Sequence, residues 1–372
     1  TGVIADGASA ATLTKAGSGT LTLSGNNTYT GLTTINAGTL KATVNNALGT
    51  NAAVTVIASG ATLDLANVTY STTEAITNSG ALSTSTGTSS YAGTMTLGAD
   101  ATIDVDGTQL TISTAIGDGS GGYAITKEGT GTLVLSATST YTGDTTISAG
   151  TIKLTGNLNS ATDLVIASGT TLDLQAALTA ATLDLDGTIS NTAGTSSLVI
   201  SGASSLGGSV TTTSTQTYTG VTTLTGNTTL TTSSAQVTFS NTINSEGSET
   251  NNLTITASET EFNGIIGGTR TLGVMDINGT LDLNAAITAA TSIDVSGTSN
   301  LGANVTTTGT QTYNGATTLS GADRNLTAST VNFGDTITGT TSHDLTITGN
   351  LDLDGALTSV VDLSVSGTSN LG

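Results

Sequence analysis

At 372 residues with no Cys, Pro or Trp, 48 Gly, and 6 Lys+Arg against 26 Asp+Glu, the chain has no means for disulfide knots, zinc fingers, thiol catalysis or proline-rich stalks. The formal charge of −20 at only 9% charged residues reflects a scarcity of cations, so no basic patch can neutralise a nucleic-acid backbone. No apolar run approaches the ~20 residues of a membrane helix, and the start at Thr1 shows neither an initiator Met nor a signal-like stretch, which reads as a mature product or a fragment.

Along the chain, apolar residues recur with period two: Leu21 and Leu23, Val54 and Val56, Leu63 and Leu65, Leu133 and Leu135, Leu172 and Leu174, Leu281 and Leu283, Leu351 and Leu353. Thr, Asp or Val stands between them. This spacing predicts short strands of three to six residues with one face turned inward, and no amphipathic helix. Pairs such as Ser59-Gly60, Asp106-Gly107 and Asn278-Gly279 supply corners between the strands.

The chain also repeats itself. Gly17-Ser-Gly-Thr-Leu-Thr-Leu-Ser, Thr28-Tyr-Thr-Gly and Thr33-Thr-Ile-Asn-Ala-Gly-Thr-Leu-Lys41 return as Gly129-Thr-Gly-Thr-Leu-Val-Leu-Ser, Thr140-Tyr-Thr-Gly and Thr145-Thr-Ile-Ser-Ala-Gly-Thr-Ile-Lys153, and Lys15 matches Lys127. A second phrase, Gln216-Thr-Tyr-Thr-Gly-Val-Thr-Thr-Leu224, reappears 95 positions on as Gln311-Thr-Tyr-Asn-Gly-Ala-Thr-Thr-Leu319, and residues 295–302 are identical to 365–372. A sandwich or barrel has no reason to repeat its sequence, whereas stacked coils do. The predicted fold is all-β: a parallel β-helix, or β-solenoid, of stacked short strands forming an elongated rod. The first repeat family falls in residues 1–205 and the diverged repeats of about 95 residues in 206–372, with the same strand grammar continuous across the boundary. At roughly 20–28 residues per coil, about 13–18 coils and a length of about 60–85 Å follow.

Composition agrees with stacking. Like charges on adjacent coils repel while Thr, Ser and Asn hydrogen-bond in ladders, and Pro would remove a donor from a strand paired on both sides.

The pattern of residues 12–41, with Thr-Leu-Thr-Lys-x-Gly-x-Gly-Thr-Leu-Thr-Leu-Ser-Gly, Asn-x-Thr-Tyr-Thr-Gly and Thr-Thr-Ile-x-Ala-Gly-Thr-Leu-Lys, resembles the autotransporter-associated β-strand repeat, and residues 124–153 match nearly as closely. The resemblance implies a bacterial surface or secreted passenger, displayed outside the cell, in which such repeats build the shaft. It assigns no activity.

Candidate chemistry is sparse. Gly117-Asp-Gly-Ser-Gly-Gly122 has G-x-G-x-x-G spacing without a surrounding strand–helix–strand unit, and reads as a loop. Ser120 would have to share a catalytic triad with the sole histidine, His343, whose Thr-Thr-Ser-His-Asp-Leu setting reads as a solvated turn. Arg270 and Arg324 read as surface turn residues. The recurrent strand aspartates are the best constellation: Asp104 and Asp106, Asp184 and Asp186, Asp352 and Asp354, with single members Asp64, Asp173, Asp282 and Asp294. Each pair places two carboxylates outward on one face, where they either keep a rod soluble or offer hard oxygen ligands to Ca²⁺. No other cofactor is expected. Tyr29 and Tyr141, and Tyr218 and Tyr313, are repeat-equivalent, which points to packing before glycan stacking.

The function these readings support is a non-enzymatic filament, spacer or adhesive shaft of an extracellular bacterial surface protein. It would self-associate end to end or laterally and meet a host or neighbouring-cell receptor or glycan, with no nucleic acid and no membrane span. Two alternatives stand beside it: a calcium-assisted polysaccharide lyase or glycosidase on a β-helix, and an ice-binding threonine ladder, suggested by segments such as Thr213-Ser-Thr-Gln-Thr-Tyr-Thr219.

Overall fold

The structure is a computed structural model that describes residues 2–372, without the side chains of residues 341 and 342. Every described regular element is a strand, and the paired strands run parallel. The chain divides into two compact units, the first running to Ala181 with Thr192–Gly194, the second comprising Thr182–Asn191 and Thr195–Gly372. Each is a β-solenoid.

In the first unit three columns of strands climb the coils. One takes Leu13–Lys15, Thr33–Ile35, Thr55–Ile57, Ile76–Asn78, Met95–Leu97 and Ile116–Gly117 in turn. A second takes Thr20–Leu23, Gly38–Ala42, Ala61–Leu65, Ala81–Thr84, Ala101–Val105, Ile125–Glu128, Thr145–Ile147 and Asp163–Ile166. The third begins at Thr69–Tyr70 and passes through Thr88–Tyr91, Gln109–Ile112, Thr132–Leu135 and Thr151–Leu154 to Thr171–Leu174. Alternate residues point inward, and in register they stack like on like: Leu40 on Leu63 on Leu82, Leu110 on Leu133 on Ile152, all fully buried. Each such side chain contributes about 1.5–3 kcal/mol.

The repeated phrase does not return to the same face. In residues 13–42 the Thr-Leu-Thr-Lys strand lies in the first column and Gly38–Ala42 in the second, whereas in residues 125–154 the equivalent strands lie in the second and third. The phrase fixes local geometry. The coils lying between the two copies fix which face it occupies.

The second unit differs from the expectation of three-to-six-residue strands. Leu253–Phe262, Leu272–Leu283, Arg324–Phe333 and Ile337–Leu353 run for 10 to 17 residues. They cross a corner without leaving the ladder, with register shifts between Thr256 and Glu259 and between Thr327 and Thr330. A bulged residue at the bend keeps the backbone paired while the side-chain row changes direction. Coil offsets reach down to 17 residues, as from Ala290 to Thr307, and up to 25 from Thr228 to Leu253, shorter at the low end than the expected range.

Inside this unit aromatic rings stack from coil to coil. Tyr218, Phe239 and Phe262 are register neighbours with centroids 4.9 and 5.5 Å apart, and Tyr313 lies 5.3 Å from Phe333. Six of the seven tyrosines are fully buried, so the packing role anticipated for Tyr29, Tyr141, Tyr218 and Tyr313 holds, and few rings remain as platforms for a sugar.

Candidate functional site

Three devices in and beside the two repeats consume their polar groups. The first is a caged lysine. Lys15 is 6% exposed and donates from Nζ to the carbonyls of Ala16 at 3.0 Å, Gly17 at 2.7 Å and Ala37 one coil up at 2.9 Å. Lys127 repeats this with Glu128 at 2.6 Å, Gly129 at 2.7 Å and Ala149 at 3.2 Å. Three acceptors require all three protons of an ammonium group. Burial pushes Lys127 down to about 8, with Asp104, Asp106 and Glu128 pulling the other way, so the group stays charged at neutral pH. The Ala-Gly pair of the motif supplies the third carbonyl. Gly38 and Gly150 then take φ of 65° and 67°, and a Cβ on either would sit about 2.5 Å from a carbonyl oxygen of the coil below.

The second device is the tyrosine of Thr-Tyr-Thr-Gly. Tyr29 is buried with its hydroxyl 2.6 Å from Thr33 Oγ1, and Tyr141 lies 2.7 Å from Thr145 Oγ1. In the second unit a buried glutamine does this work. Gln216 accepts from Tyr218 and donates to the Thr231 carbonyl at 2.9 Å, and Gln311 repeats both contacts with Tyr313 and Thr327.

The third is a carboxylate clasp between coils. Asp118 accepts from the Thr142 backbone N–H at 3.0 Å and its hydroxyl at 2.9 Å, and also from the backbone of Ser120 and Gly122, both at 2.9 Å. Asp6 holds Thr30 in the same way. Both clasps span 24 residues, an offset that the sequence displays. Asp64 clasps Ser85 and Asp173 clasps Thr192 likewise, and Asp64 also pairs with Lys41 at 3.2 Å. Asp64 and Asp173 are thus buried at 4% and 6%, not free outward carboxylates.

In Gly117–Gly122 the loop amides that would cradle a phosphate are therefore occupied by the chain's own anion. Burial acts to raise Asp118, but the bonds from Thr142, Ser120 and Gly122 outweigh it and hold the carboxyl at about 2. A folded pKa below the unfolded one gives stability that is present above the ordinary carboxylate range and lost as pH falls through about 2. Asp118→Ala is expected to speed amide exchange at Ser120, Gly122 and Thr142 by about tenfold, equivalent to about 1.4 kcal/mol. Unchanged exchange at those three amides would show that the clasp adds nothing.

The remaining candidates fall as follows. His343 is not a solvated turn residue: it lies within the strand Ile337–Leu353, 3% exposed, with Nε2 3.3 Å from Thr340 Oγ1. Extending this strand around a corner carried the histidine inward. Ser120 stands in the first unit and His343 in the second. Arg324 is not at the surface either: it is 5% exposed, and its guanidinium donates to the carbonyls of Leu301 at 2.7 Å, Asp323 at 2.8 Å and Ser320. Arg270 is exposed as expected. Thr213–Thr219 forms no flat strip, because Ser209–Thr212 and Gln216–Tyr218 are separate strands, with Thr212, Gln216 and Tyr218 inward.

Of the outward aspartates, Asp106, Asp184, Asp186 and Asp354 are exposed and Asp104 and Asp352 half-buried. Stacking adds acidic neighbours to those set by i, i+2 spacing: Asp104 lies in register with Glu128, Glu261 with Asp282, and Asp276 with Asp294. Burial raises Asp104 first, then the charges of Asp106 and Glu128. Amides and hydroxyls relieve the other two stacks. Asn300 donates to Asp282 at 2.8 Å, Asn314 to Asp294 at 2.9 Å, and Gln236 and Thr238 to Glu261 at 3.2 and 3.3 Å. Among the described residues no three acidic or histidine side chains gather as a metal would need. The outward surface of the second unit carries polar columns, one running Thr229, Thr254, Asp276, Asp294, Thr312, Asn332, Asp352 and Asn370 through successive coils, with Val221, Ile265, Val274 and Val361 also exposed.

Residues 13–42 and 125–154, the segments that hold the lysine cages, match the passenger-associated-transport-repeat family. The chain is also 34% identical over 150 residues, 40% of its length, to the adhesin BmaC autotransporter of Brucella suis biovar 1 (strain 1330), and spans 4% of that relative. No solved structure matches it. The parallel β-solenoid thus carries two passenger-associated transport repeats and a segment similar to an autotransporter adhesin.

Proposed function

We propose that the chain is a non-catalytic shaft segment of a bacterial surface protein, displayed outside the cell as a spacer or adhesive stalk and self-associating end to end or laterally. One observation carries this reading. The side chains richest in chemistry in and beside the matched repeats are spent on the chain's own coils: lysines caged partly by a carbonyl one coil up, tyrosines buried on a threonine of their own coil, and aspartates outside the repeats that clasp a repeat threonine 24 residues on. The polar columns on the outward surface keep the solenoid hydrated and discourage nonspecific sticking. Stability accrues coil by coil, which suits a segment whose work is reach.

The test compares three readouts on the purified chain. Pulling a single molecule from its two ends is expected to release coils in a series of small similar steps. Incubation with acidic polysaccharides, with and without millimolar Ca²⁺, is expected to give no unsaturated product, and Ca²⁺ to leave the melting temperature unchanged. Depolymerisation of any such polysaccharide would overturn the non-catalytic reading, and a calcium-dependent rise in melting would assign a metal role to the outward aspartates. Self-association predicts fibres or rafts in negative stain; dispersed single particles at high concentration would remove it.

A further inference from the structure

Glu74 is a buried carboxyl group that the repeat devices do not use. It follows the corner after Thr69–Tyr70, is 2% exposed, and lies against neutral groups only. Its Oε1 accepts from the Thr55 hydroxyl, its Oε2 from the Tyr70 phenol at 3.1 Å, and its backbone carbonyl from the Tyr91 phenol. Tyr29, Tyr70 and Tyr91 are the titratable groups that feel it, and no lysine or arginine is among the groups acting on it. Burial first, and then the charge of an ionised Glu74, raises all three phenols above their ordinary value, Tyr29 to about 12, so none ionises near neutrality.

Two corners close over this cluster and hold each other. Asn45 Oδ1 accepts from the backbone N–H of Ser71 at 3.0 Å and of Thr72 at 3.2 Å, the Thr72 hydroxyl bonds Asn46, and the Leu48 N–H donates to the Tyr70 hydroxyl at 3.2 Å. Asn46, Thr50 and Asn51 from one corner and Ser71, Thr72 and Thr73 from the other line an open, uncharged cleft above it.

We propose that Glu74 is a proton-operated latch: protonated, it seals the corners 45–51 and 70–74 over the core of the first unit, and ionised, it loosens them and the polar cleft they line. A buried carboxylate with two hydroxyl donors and no cation is costly to ionise, and burial raises Glu74 from 4.5 to about 7 against the bonds from Thr55 and Tyr70. A folded pKa above the unfolded value gives a contribution that is complete below about 4.5 and lost as pH rises through about 7. The latch therefore tightens on acidification.

Hydrogen exchange on the full chain at pH 6 and pH 8, corrected for base catalysis of the chemical step, reads it directly. Residues 45–51 and 68–75 are expected to lose protection by about tenfold or more at pH 8 while the coils of the second unit do not. Glu74→Gln, checked by circular dichroism for retained β-structure, is expected to abolish that difference. Tyr70→Phe removes a donor to the ionised form and is expected to move the midpoint to higher pH, which loss of packing alone would not do. Equal protection at both pH values in the parent chain, or an undiminished pH difference in Glu74→Gln, would overturn the latch.

Discussion

Truncating Phe239 to alanine is expected to destabilise the second unit by about 3–5 kcal/mol. The ring is fully buried and lies between Tyr218 at 4.9 Å and Phe262 at 5.5 Å, each on the adjoining coil. Backbone pairing holds Tyr218, Phe239 and Phe262 in one register row, so the neighbouring rings cannot slide together to fill the space. In a stack where each coil touches chiefly its neighbours, the loss should appear as a local breach. Chemical denaturation is expected to show a lowered midpoint or a separate early transition, and exchange protection should fall first in the coils of Tyr218 and Phe262. Phe239→Leu keeps most of the volume and is expected to cost under half as much. A midpoint within experimental error of the parent for Phe239→Ala would mean that the stacked rings do not carry this unit.

Lys127→Met is expected to cost about 2–4 kcal/mol in the first unit. Methionine preserves the length of the stem and its apolar contacts but strands the carbonyls of Glu128, Gly129 and Ala149, which the ammonium now satisfies at 2.6, 2.7 and 3.2 Å. The Ala149 carbonyl belongs to the turn that opens Thr151–Leu154, so its release loosens the strand one coil up as well as its own. Lys127→Arg is expected to be nearly as damaging, since a planar fork does not match three carbonyls converging on a point charge. Thermal melting of the three proteins checks this, and parity between Lys127→Met and the parent would show that the cage is incidental. Lys15→Met gives an independent copy of the test, because Lys15 meets Ala16, Gly17 and Ala37 in the same manner.

The matched repeat shows how much of this was legible beforehand. Lys15 with Lys127 and Tyr29 with Tyr141 were visible as equivalents, and a structural role followed from their recurrence. Their partners were not visible, because the Ala37 and Ala149 carbonyls lie 22 residues away and are brought close only by the coil. The clasps of Asp6 and Asp118 were hidden for the same reason, although their common offset of 24 was a readable signal. Glu74 gave no signal at all: it recurs nowhere, and its environment is assembled from three coils around Thr55, Tyr70 and Tyr91. His343 and Arg324 were misplaced outward because Gly- and Ser-rich surroundings look like turns, whereas here long strands pass through corners and carry polar side chains inside.

Period-two alternation, Gly at corners and self-repetition are local properties, and by themselves they determined an all-β chain wound into stacked parallel coils. Which acid sits over which, as with Asp276 on Asp294, and which face each repeat occupies depend on the running sum of coil lengths. Only the tertiary structure decided those placements, because register is a property of neighbouring coils and not of any one of them.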